Sequence, residues 1–211
     1  MKIEWVTVGP FQENSYLLGD PESGRAVLID PGDEATRIVH MVEQSGLKPE
    51  AIWLTHAHLD HIGAVAEIVS RWRLPVFLHP DDLTVYRRGA QQAAFYGLPF
   101  TQPSDPDRTL SDEDVLTLGK RTFTVRHTPG HSPGHVVFVG EGIMLGGDLL
   151  FAGSIGRTDL PFSNPEAMEG SLSLVAGFDP AIAVYPGHGP PTSIGAELAT
   201  NPYLVNVHPV Q

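Results

Sequence analysis

The stretch LTHAHLDHIGA, residues 54–64, places three histidines and an aspartate within six positions. Residues 51–55 predict a buried strand, and apolar residues at helical spacing over residues 62–72 predict a helix, so the polar cluster lies at their junction. Imidazole nitrogen and carboxylate oxygen are donors that Zn²⁺, Fe²⁺ and Mn²⁺ accept. Because His56 and His58 stand two positions apart in an extended segment, their side chains can point the same way. The pattern HxHxDH therefore predicts metal binding.

Each residue of this stretch, taken alone, has a simpler explanation. Asp60 could be a helix N-cap, since Asp commonly precedes an apolar-periodic run. A lone histidine near a core is usually a hydrogen-bonded structural residue. The metal interpretation depends on the whole pattern and its position between a strand and a helix.

Three more donors follow glycine at the ends of strand-like segments. His131 lies in TPGHSPGH, Asp148 in MLGGDLL and His188 in YPGHGPP. The donors now number seven: His56, His58, Asp60, His61, His131, Asp148 and His188. They are too many for one tetrahedral ion and suit two ions that share a bridging carboxylate. We therefore predict two divalent metal ions per chain, drawn from zinc, iron and manganese or a mixture of them.

Composition excludes several classes of function. The 211 residues carry a formal net charge of −12, which disfavours nucleic acid and anionic membrane surfaces as partners. The chain has no cysteine, so disulfides, thiolate metal sites and a cysteine nucleophile are excluded. No signal-peptide pattern and no apolar stretch of about 20 residues is present, and we expect a cytoplasmic protein. The sequence leaves the oligomeric state open.

Strand and helix patterns alternate along the chain. Strands are predicted over residues 2–8, 14–18, 25–30, 51–55, 75–78, 115–118, 121–127, 135–139, 142–145 and 181–185. Helices are predicted over residues 34–45, 62–72, 80–88, 165–176 and 194–200. Residues 91–107, within the connection 89–108, are rich in proline and aromatic residues and predict an irregular active-site wall of undefined role. This order predicts an α/β protein, a four-layer αββα sandwich, as one domain over residues 1–211.

The motifs HAHLDH, GH at 131, GGD at 148 and GH at 188 resemble those of the metallo-β-lactamase superfamily. The segments ENSYLL, LIDPG (28–32), GDLLFAGSIGRTDLP (147–161) and PGHGPPTSIGAELATNP (186–202) are similar to its hydroxyacylglutathione hydrolase (glyoxalase II) branch. Only 23 residues follow His188, so the chain looks like the short bacterial members that lack the C-terminal helical region. It must then bind its thiol portion differently from the longer enzymes, or bind another thiol.

The resemblance implies an αββα fold with two metal ions between the sheets. By motif position, His56, His58 and His131 would bind the first ion, Asp60, His61 and His188 the second, and Asp148 both. The implied activity is hydrolysis of a small-molecule thioester of the hydroxyacylglutathione type by a metal-bridged hydroxide. Asp60 is also the residue expected to orient the attacking water.

Three residues outside the donor set have candidate roles. Asp30 could orient the histidine loop or simply cap a turn, and His135 could support a ligand or be a structural histidine. Arg157 could pair with a substrate carboxylate or brace its loop by pairing with Asp159.

Alternative functions remain open at this stage. A persulfide dioxygenase on the same fold would use one Fe²⁺ held by two histidines and an aspartate, and a hydrolase could act on another thioester or a lactone. A secreted β-lactamase is disfavoured by the N-terminal sequence, and a nucleic-acid phosphodiesterase by the charge. A metal-stabilised binding or redox module, as in diiron flavoprotein relatives, is the non-enzyme alternative.

Overall fold

Two six-stranded sheets form the framework of the computed structural model, which describes residues 1–205. In spatial order, the first sheet contains β1 (Lys2–Val8), β2 (Glu13–Asp20), β3 (Arg25–Ile29), β4 (Lys48–Trp53), β5 (Val76–Leu78) and β6 (Arg108–Thr109). In chain order, the second contains β7 (Val115–Leu118), β8 (Arg121–His127), β9 (Val136–Gly140), β10 (Ile143–Gly147), β13 (Ala183–Pro186) and β14 (Thr192–Ser193). A separate ribbon pairs β11 (Leu150–Phe151) with β12 (Ser154–Ile155).

Helical segments connect the strands, and several of them pack on the outer faces of the two sheets. They are α1 (Ala35–Ser45), α2 (Leu59–Ile62), α3 (Val65–Trp72), a 3₁₀ turn (Pro80–Asp82), α4 (Leu83–Tyr86), α5 (Gly89–Tyr96), α6 (Pro165–Ala176) and α7 (Ile194–Thr200). Within residues 1–205, none of them combines the length and the apolar character that crossing a bilayer requires.

Three buried clusters separate the layers. Along β3, Leu28 packs in a cluster with Ile38 of α1, whereas Ile29 belongs to a cluster that includes Phe138 of the second sheet. On the far side, Val137 packs with Leu172 of α6. Alternate residues of a strand face opposite sides of the sheet, so these strands have apolar residues on both faces. The predicted αββα sandwich is confirmed.

The sequence predicts one helix over residues 80–88 and irregular chain over residues 91–107, and both predictions are wrong in part. The first region is a 3₁₀ turn followed by α4, and α5 occupies Gly89–Tyr96. The left-handed conformation of Gly97 ends α5. Only Gly89 and Ala93 of α5 are buried, so this helix has no apolar periodicity that would reveal it.

The predicted helix over residues 62–72 begins earlier and is interrupted. It consists of α2 and α3, and the break falls where the Ala64 amide donates to the carbonyl of Pro31 at 3.0 Å. The predicted strand over residues 51–55 ends at Trp53. Thr55 lies beyond the strand because its amide donates to the Asp30 carboxylate at 2.7 Å.

Parallel strand pairs bring the polar residues to one edge. β3 and β4 are parallel, as are β10 and β13. Asp30 directly follows β3 and the histidine stretch follows β4, while Asp148 and His188 follow β10 and β13. Neighbouring parallel strands end at the same edge of a sheet, so residues far apart in sequence meet there.

Candidate metal centre

The seven donors that the sequence predicts lie together between the sheets. Two groups of three have donor atoms within 4.8 Å of one another: His56, His58 and His131, and Asp60, His61 and His188. Asp148 lies between these groups. Its Oδ2 atom is 3.4 Å from His131 Nε2 and 3.5 Å from His188 Nε2, and its Oδ1 atom is 3.4 Å from His61 Nε2. Asp148 can therefore contact both groups at once.

Several buried donor atoms in this cluster have no protein partner. Among the described residues, the Nε2 atoms of His56 and His61 and the Oδ1 atom of Asp148 make no hydrogen bond. A buried polar atom without a partner costs about 1–3 kcal/mol. Each of these three atoms can offer a lone pair to a cation, and all three lie within the donor cluster. The residues therefore fit divalent metal ions bound at this position.

The pKa values of the cluster shift in opposite directions. Burial and the neighbouring His131 lower the pKa of His58 to about 3. Burial works against the charged form of His188 as well, but hydrogen bonds to Asp148 and Asp60 raise its pKa to about 9. For Asp148, burial is outweighed by His61 and the hydrogen bond from His188, and its pKa is lowered. The carboxylates thus stay ionised and His58 neutral, as ligation of a cation requires, whereas His188 releases its proton when a cation binds.

Asp30 and Thr55 fix the orientation of two of the histidines. Asp30 Oδ2 accepts hydrogen bonds from His61 Nδ1 at 3.0 Å and from Thr55 Oγ1 at 2.6 Å. Because the Thr55 hydroxyl donates to Asp30, it accepts from His56 Nδ1 at 3.0 Å. In their neutral form, both imidazoles therefore carry the proton on Nδ1 and present the Nε2 lone pair to the centre. Asp30 thus contacts the histidine loop and does more than cap a turn.

The simpler explanation of Asp60 as an N-cap is wrong. His58 occupies the N-cap position of α2, and Asp60 lies in the first turn with its Oδ2 atom 3.2 Å from His188 Nε2.

His135 and Arg157 both support the centre, the latter through its backbone. His135 Nε2 accepts from the amide of Asp148 at 3.0 Å, and its Nδ1 atom faces Thr128 Oγ1 at 2.9 Å. The Arg157 side chain is exposed and pairs with both carboxylate oxygens of Asp159, at 2.8 and 2.9 Å. Its carbonyl oxygen accepts from His131 Nδ1 at 2.8 Å. No sequence signal marks a backbone carbonyl in this role.

Gly187 allows the His188 loop to approach the other donors. A Cβ atom at this position would lie 2.3 Å from Asp148 Oδ1 and 2.8 Å from His61 Cε1. Both distances are shorter than van der Waals contact, so a larger residue would displace one of these side chains.

Asn14 and Gln92 hold ligand loops and were not predicted. The Asn14 side-chain amide donates to the carbonyls of Pro186 and Gly189 at 3.2 and 2.9 Å, on either side of His188. Gln92 of α5 accepts from the Leu59 amide at 3.1 Å and donates to the Ala57 carbonyl at 3.4 Å, on either side of His58. The conspicuous ENSYLL motif was a usable signal for Asn14, whereas nothing in the sequence of α5 pointed to Gln92.

A further group, His79, Asp81 and His127, has donor atoms within 4.8 Å of one another outside this centre. The two imidazoles are stacked, with centroids 4.1 Å apart and planes at 11°. A nitrogen lone pair lies in the ring plane, so nearly parallel rings do not direct their lone pairs to one ion. This arrangement is a stacked pair and not a metal site.

A groove opens beside Asp60. Its walls come from the β1–β2 turn, which includes Pro10 and Phe11, from Asp33, and from Leu98 and Pro99 of the connection after α5. The predicted active-site wall therefore contributes two apolar residues next to the donor cluster.

Comparison with known proteins places this arrangement among metal-dependent enzymes. The sequence model of the metallo-β-lactamase superfamily matches residues 8–188. The chain is 35% identical to the hydroxyacylglutathione hydrolase GloC of Haemophilus influenzae, covering 97% of this chain and 98% of that one. It superimposes on TTHA1623 in a di-iron-bound form with a TM-score of 0.89 at 46% identity, covering 95% and 100% of the two chains. The B3 metallo-beta-lactamase BLEG-1 also superimposes with a TM-score of 0.89, at 37% identity and 97% and 100% coverage.

Proposed function

From the premise that the chain is a metallohydrolase belonging to the metallo-β-lactamase superfamily, we propose that its substrate is a thioester of the hydroxyacylglutathione type. The observation that carries this proposal is the convergence of seven donors in two groups with Asp148 between them. The similarity to GloC over almost the whole of both chains supports the choice of a thioester.

In this proposal His56, His58 and His131 hold one divalent ion, Asp60, His61 and His188 hold a second, and Asp148 contacts both. When bound, the ions would ionise a water molecule near neutral pH and polarise the substrate carbonyl. The neighbouring side chains fix the ligand tautomers: Asp30 for His61, Thr55 for His56 and the Arg157 carbonyl for His131. Iron in TTHA1623 makes iron, beside zinc and manganese, a candidate for this chain.

Asp60 is the residue proposed to orient the attacking water. Its Oδ2 atom is 3.2 Å from His188 Nε2, its side chain is 21% exposed, and the residue is one of those that line the groove. His61 and the hydrogen bond from His188 outweigh the effect of burial and lower the Asp60 pKa, so the carboxylate can accept a hydrogen bond from water. The departing thiolate is a good leaving group and requires little help from a general acid.

The proposed partner is a small-molecule thioester that reaches the centre through the groove beside Asp60. Phe11, Leu98 and Pro99 offer apolar contact there, and the exposed Arg157 is a candidate for binding a substrate carboxylate. The net charge of −12 makes nucleic acid and anionic membranes unsuitable partners, in keeping with the proposed cytoplasmic location.

The test is thiol release from S-D-lactoylglutathione by the protein loaded with zinc, iron or manganese. We expect turnover that is lost in His58→Ala and retained in His40→Ala, because His40 is exposed on α1, away from the centre. Absence of turnover at every metal loading would reject the glutathione thioester. Oxygen uptake with glutathione persulfide by the iron-loaded protein would then favour the dioxygenase alternative.

A second candidate is β-lactam hydrolysis, which is favoured by the similarity to BLEG-1. The same metal-loaded preparations should be assayed with a chromogenic cephalosporin. A kcat/KM for the cephalosporin above that for the thioester would reverse our choice of substrate.

A further inference from the structure

Asp82 is a fully buried carboxylate outside the donor set. It is the last residue of the 3₁₀ turn that follows β5, and its side chain is 0% exposed. The adjacent Asp81 has a side chain that is 60% exposed. Burial of a carboxylate is costly unless hydrogen bonds compensate for it, so the partners of Asp82 indicate its role.

Two loops from different sheets donate hydrogen bonds to Asp82. Its Oδ2 atom accepts from the amide of Ala57 at 2.7 Å, in the loop that follows β4 of the first sheet. Its Oδ1 atom accepts from the amide of Gly134 at 2.6 Å and from the Ser132 hydroxyl, in the loop between β8 and β9 of the second sheet. One carboxylate therefore links the two sheets.

The linked positions adjoin the three donors of the first metal group. Ala57 lies between His56 and His58, and Ser132 directly follows His131. These three imidazoles come from two loops, so the space between their nitrogen atoms depends on how the loops are held relative to each other. Asp82 accepts hydrogen bonds from both loops, next to these three histidines.

The chemistry of this position favours aspartate over its amide analogue. A carboxylate accepts hydrogen bonds at both oxygen atoms, whereas an asparagine amide group would face either the Ala57 or the Gly134 N–H with N–H groups of its own. The loop is also built to reach Asp82. A Cβ atom at Gly134 would lie 2.5 Å from the Asp82 amide nitrogen.

We propose that Asp82 is a positioning residue that sets the spacing between His56, His58 and His131 and thereby the affinity of the first metal group. The inference deepens the proposed function, because it assumes that these three histidines bind a metal ion. A carboxylate that merely stabilised the fold would affect both metal groups and the metal-free protein alike.

The test measures metal affinity without substrate. Zinc binding is titrated in competition with a chromogenic chelator, and the first-site equivalent is identified as the one that His58→Ala removes. We expect Asp82→Asn to weaken this equivalent roughly 10-fold or more, the range seen when residues that support ligands are changed. The equivalent held by Asp60, His61 and His188 should keep its affinity, and Asp81→Asn, the matched control, should behave as the wild type.

A wild-type affinity for the first equivalent in Asp82→Asn would overturn the proposal, as would equal weakening of both equivalents. If Asp82→Asn does not fold, the same zinc titration of Ser132→Ala tests the proposal. This variant removes one hydrogen bond to Asp82 without leaving an unpaired buried charge. It should weaken the same equivalent by a smaller factor, and an unchanged affinity would overturn the proposal.

Activity adds a second readout. In Asp82→Asn, kcat should fall and recover when excess metal is supplied, with KM unchanged. Failure of the wild type to release thiol would reject the proposed substrate but leave the affinity comparison intact, so the two proposals fail separately.

Discussion

The Nδ1 atom of His58 lies 2.8 Å from the Nε2 atom of His131. Because His131 Nδ1 donates to the Arg157 carbonyl, its Nε2 atom carries a lone pair. A lone pair at this distance from a second ring nitrogen requires either a shared proton or a cation between the rings. The low pKa of His58, caused by burial and by His131, keeps this imidazole uncharged and its ring nitrogen available to a cation.

Removal of metal is therefore expected to destabilise the protein. Ligand linkage stabilises a folded state by about 4 kcal/mol when a bound ion exceeds its dissociation constant 1,000-fold. Thermal unfolding followed with increasing EDTA should show a falling Tm, and Zn²⁺ or Mn²⁺ should restore it. Mg²⁺ should not, because a site rich in imidazole suits it poorly. A Tm that does not respond to EDTA would contradict a metal centre at these residues.

Thr55→Val should impair the metal centre, although Thr55 is not one of the seven predicted metal ligands. Valine keeps the shape of threonine but cannot accept from His56 Nδ1 or donate to Asp30. We expect metal affinity and kcat to fall by about 10-fold or more. Thr55→Ser retains the hydroxyl and is the control. Equal losses in both variants would point to packing of the Thr55 methyl group as the cause.

Gly187→Ala should abolish activity for a steric reason. The new methyl group would lie 2.3 Å from Asp148 Oδ1 and force this carboxylate or the His188 loop away. We expect kcat/KM for thiol release to fall at least about 100-fold or to background. The metal content per chain, measured in parallel, should fall as well.

Gly170→Ala is the matched control for the glycine substitution. Gly170 lies on the exposed side of α6, and a Cβ atom there meets nothing within 4 Å. Alanine should raise the free energy of unfolding by up to about 1 kcal/mol without changing activity. A loss of activity in this variant would show that substitutions in general, and not crowding at Asp148, inactivate the protein.

Arg157→Ala separates the role of the Arg157 side chain from that of its backbone carbonyl. The ion pair with Asp159 is exposed, so the free energy of unfolding should change little. The backbone carbonyl that orients His131 remains in the variant. If the side chain binds a substrate carboxylate, KM for S-D-lactoylglutathione should rise while kcat stays. An unchanged KM would leave Arg157 only its backbone role.

The environment of His79 should make part of the free energy of unfolding sensitive to acid. Burial and the stacked His127 lower its pKa, while Asp81 and Asp112 oppose the shift. A histidine whose pKa is lowered on folding contributes stability in full above its unfolded pKa of about 6.5, and that contribution is lost as the pH falls below it. In urea titrations from about pH 7.5 to about pH 5, His79→Asn should lose less stability than the wild type. Equal losses would exclude His79 as the source.

The layered fold and the donor set could be predicted from the sequence, because both leave a direct pattern in it. Short apolar segments between turn residues predicted most strands, and α6 and α7 have the bounds that the sequence predicted. The seven donors that the motifs indicated lie together in the structure.

Asp30 and His135 were predicted as candidate supports of the donors, but other supporting residues could not be predicted, because no local pattern marks them. Asp82 meets Ala57 and Gly134 across 25 and 52 positions, and the Arg157 carbonyl has no sequence signature. The two-residue strands β6, β11, β12 and β14 are too short for periodicity to reveal. Tertiary contacts, not local propensity, determine these parts.

The bond between Gln92 and the backbone on either side of His58 limits how this protein can be redesigned. The connection 89–108 supplies one wall of the groove and would be the natural segment to exchange when a different substrate is wanted. Through Gln92, however, such a graft would also remove a support of the histidine loop. A transplanted segment must therefore retain an amide at position 92, or it will change the substrate and weaken the catalyst in the same step.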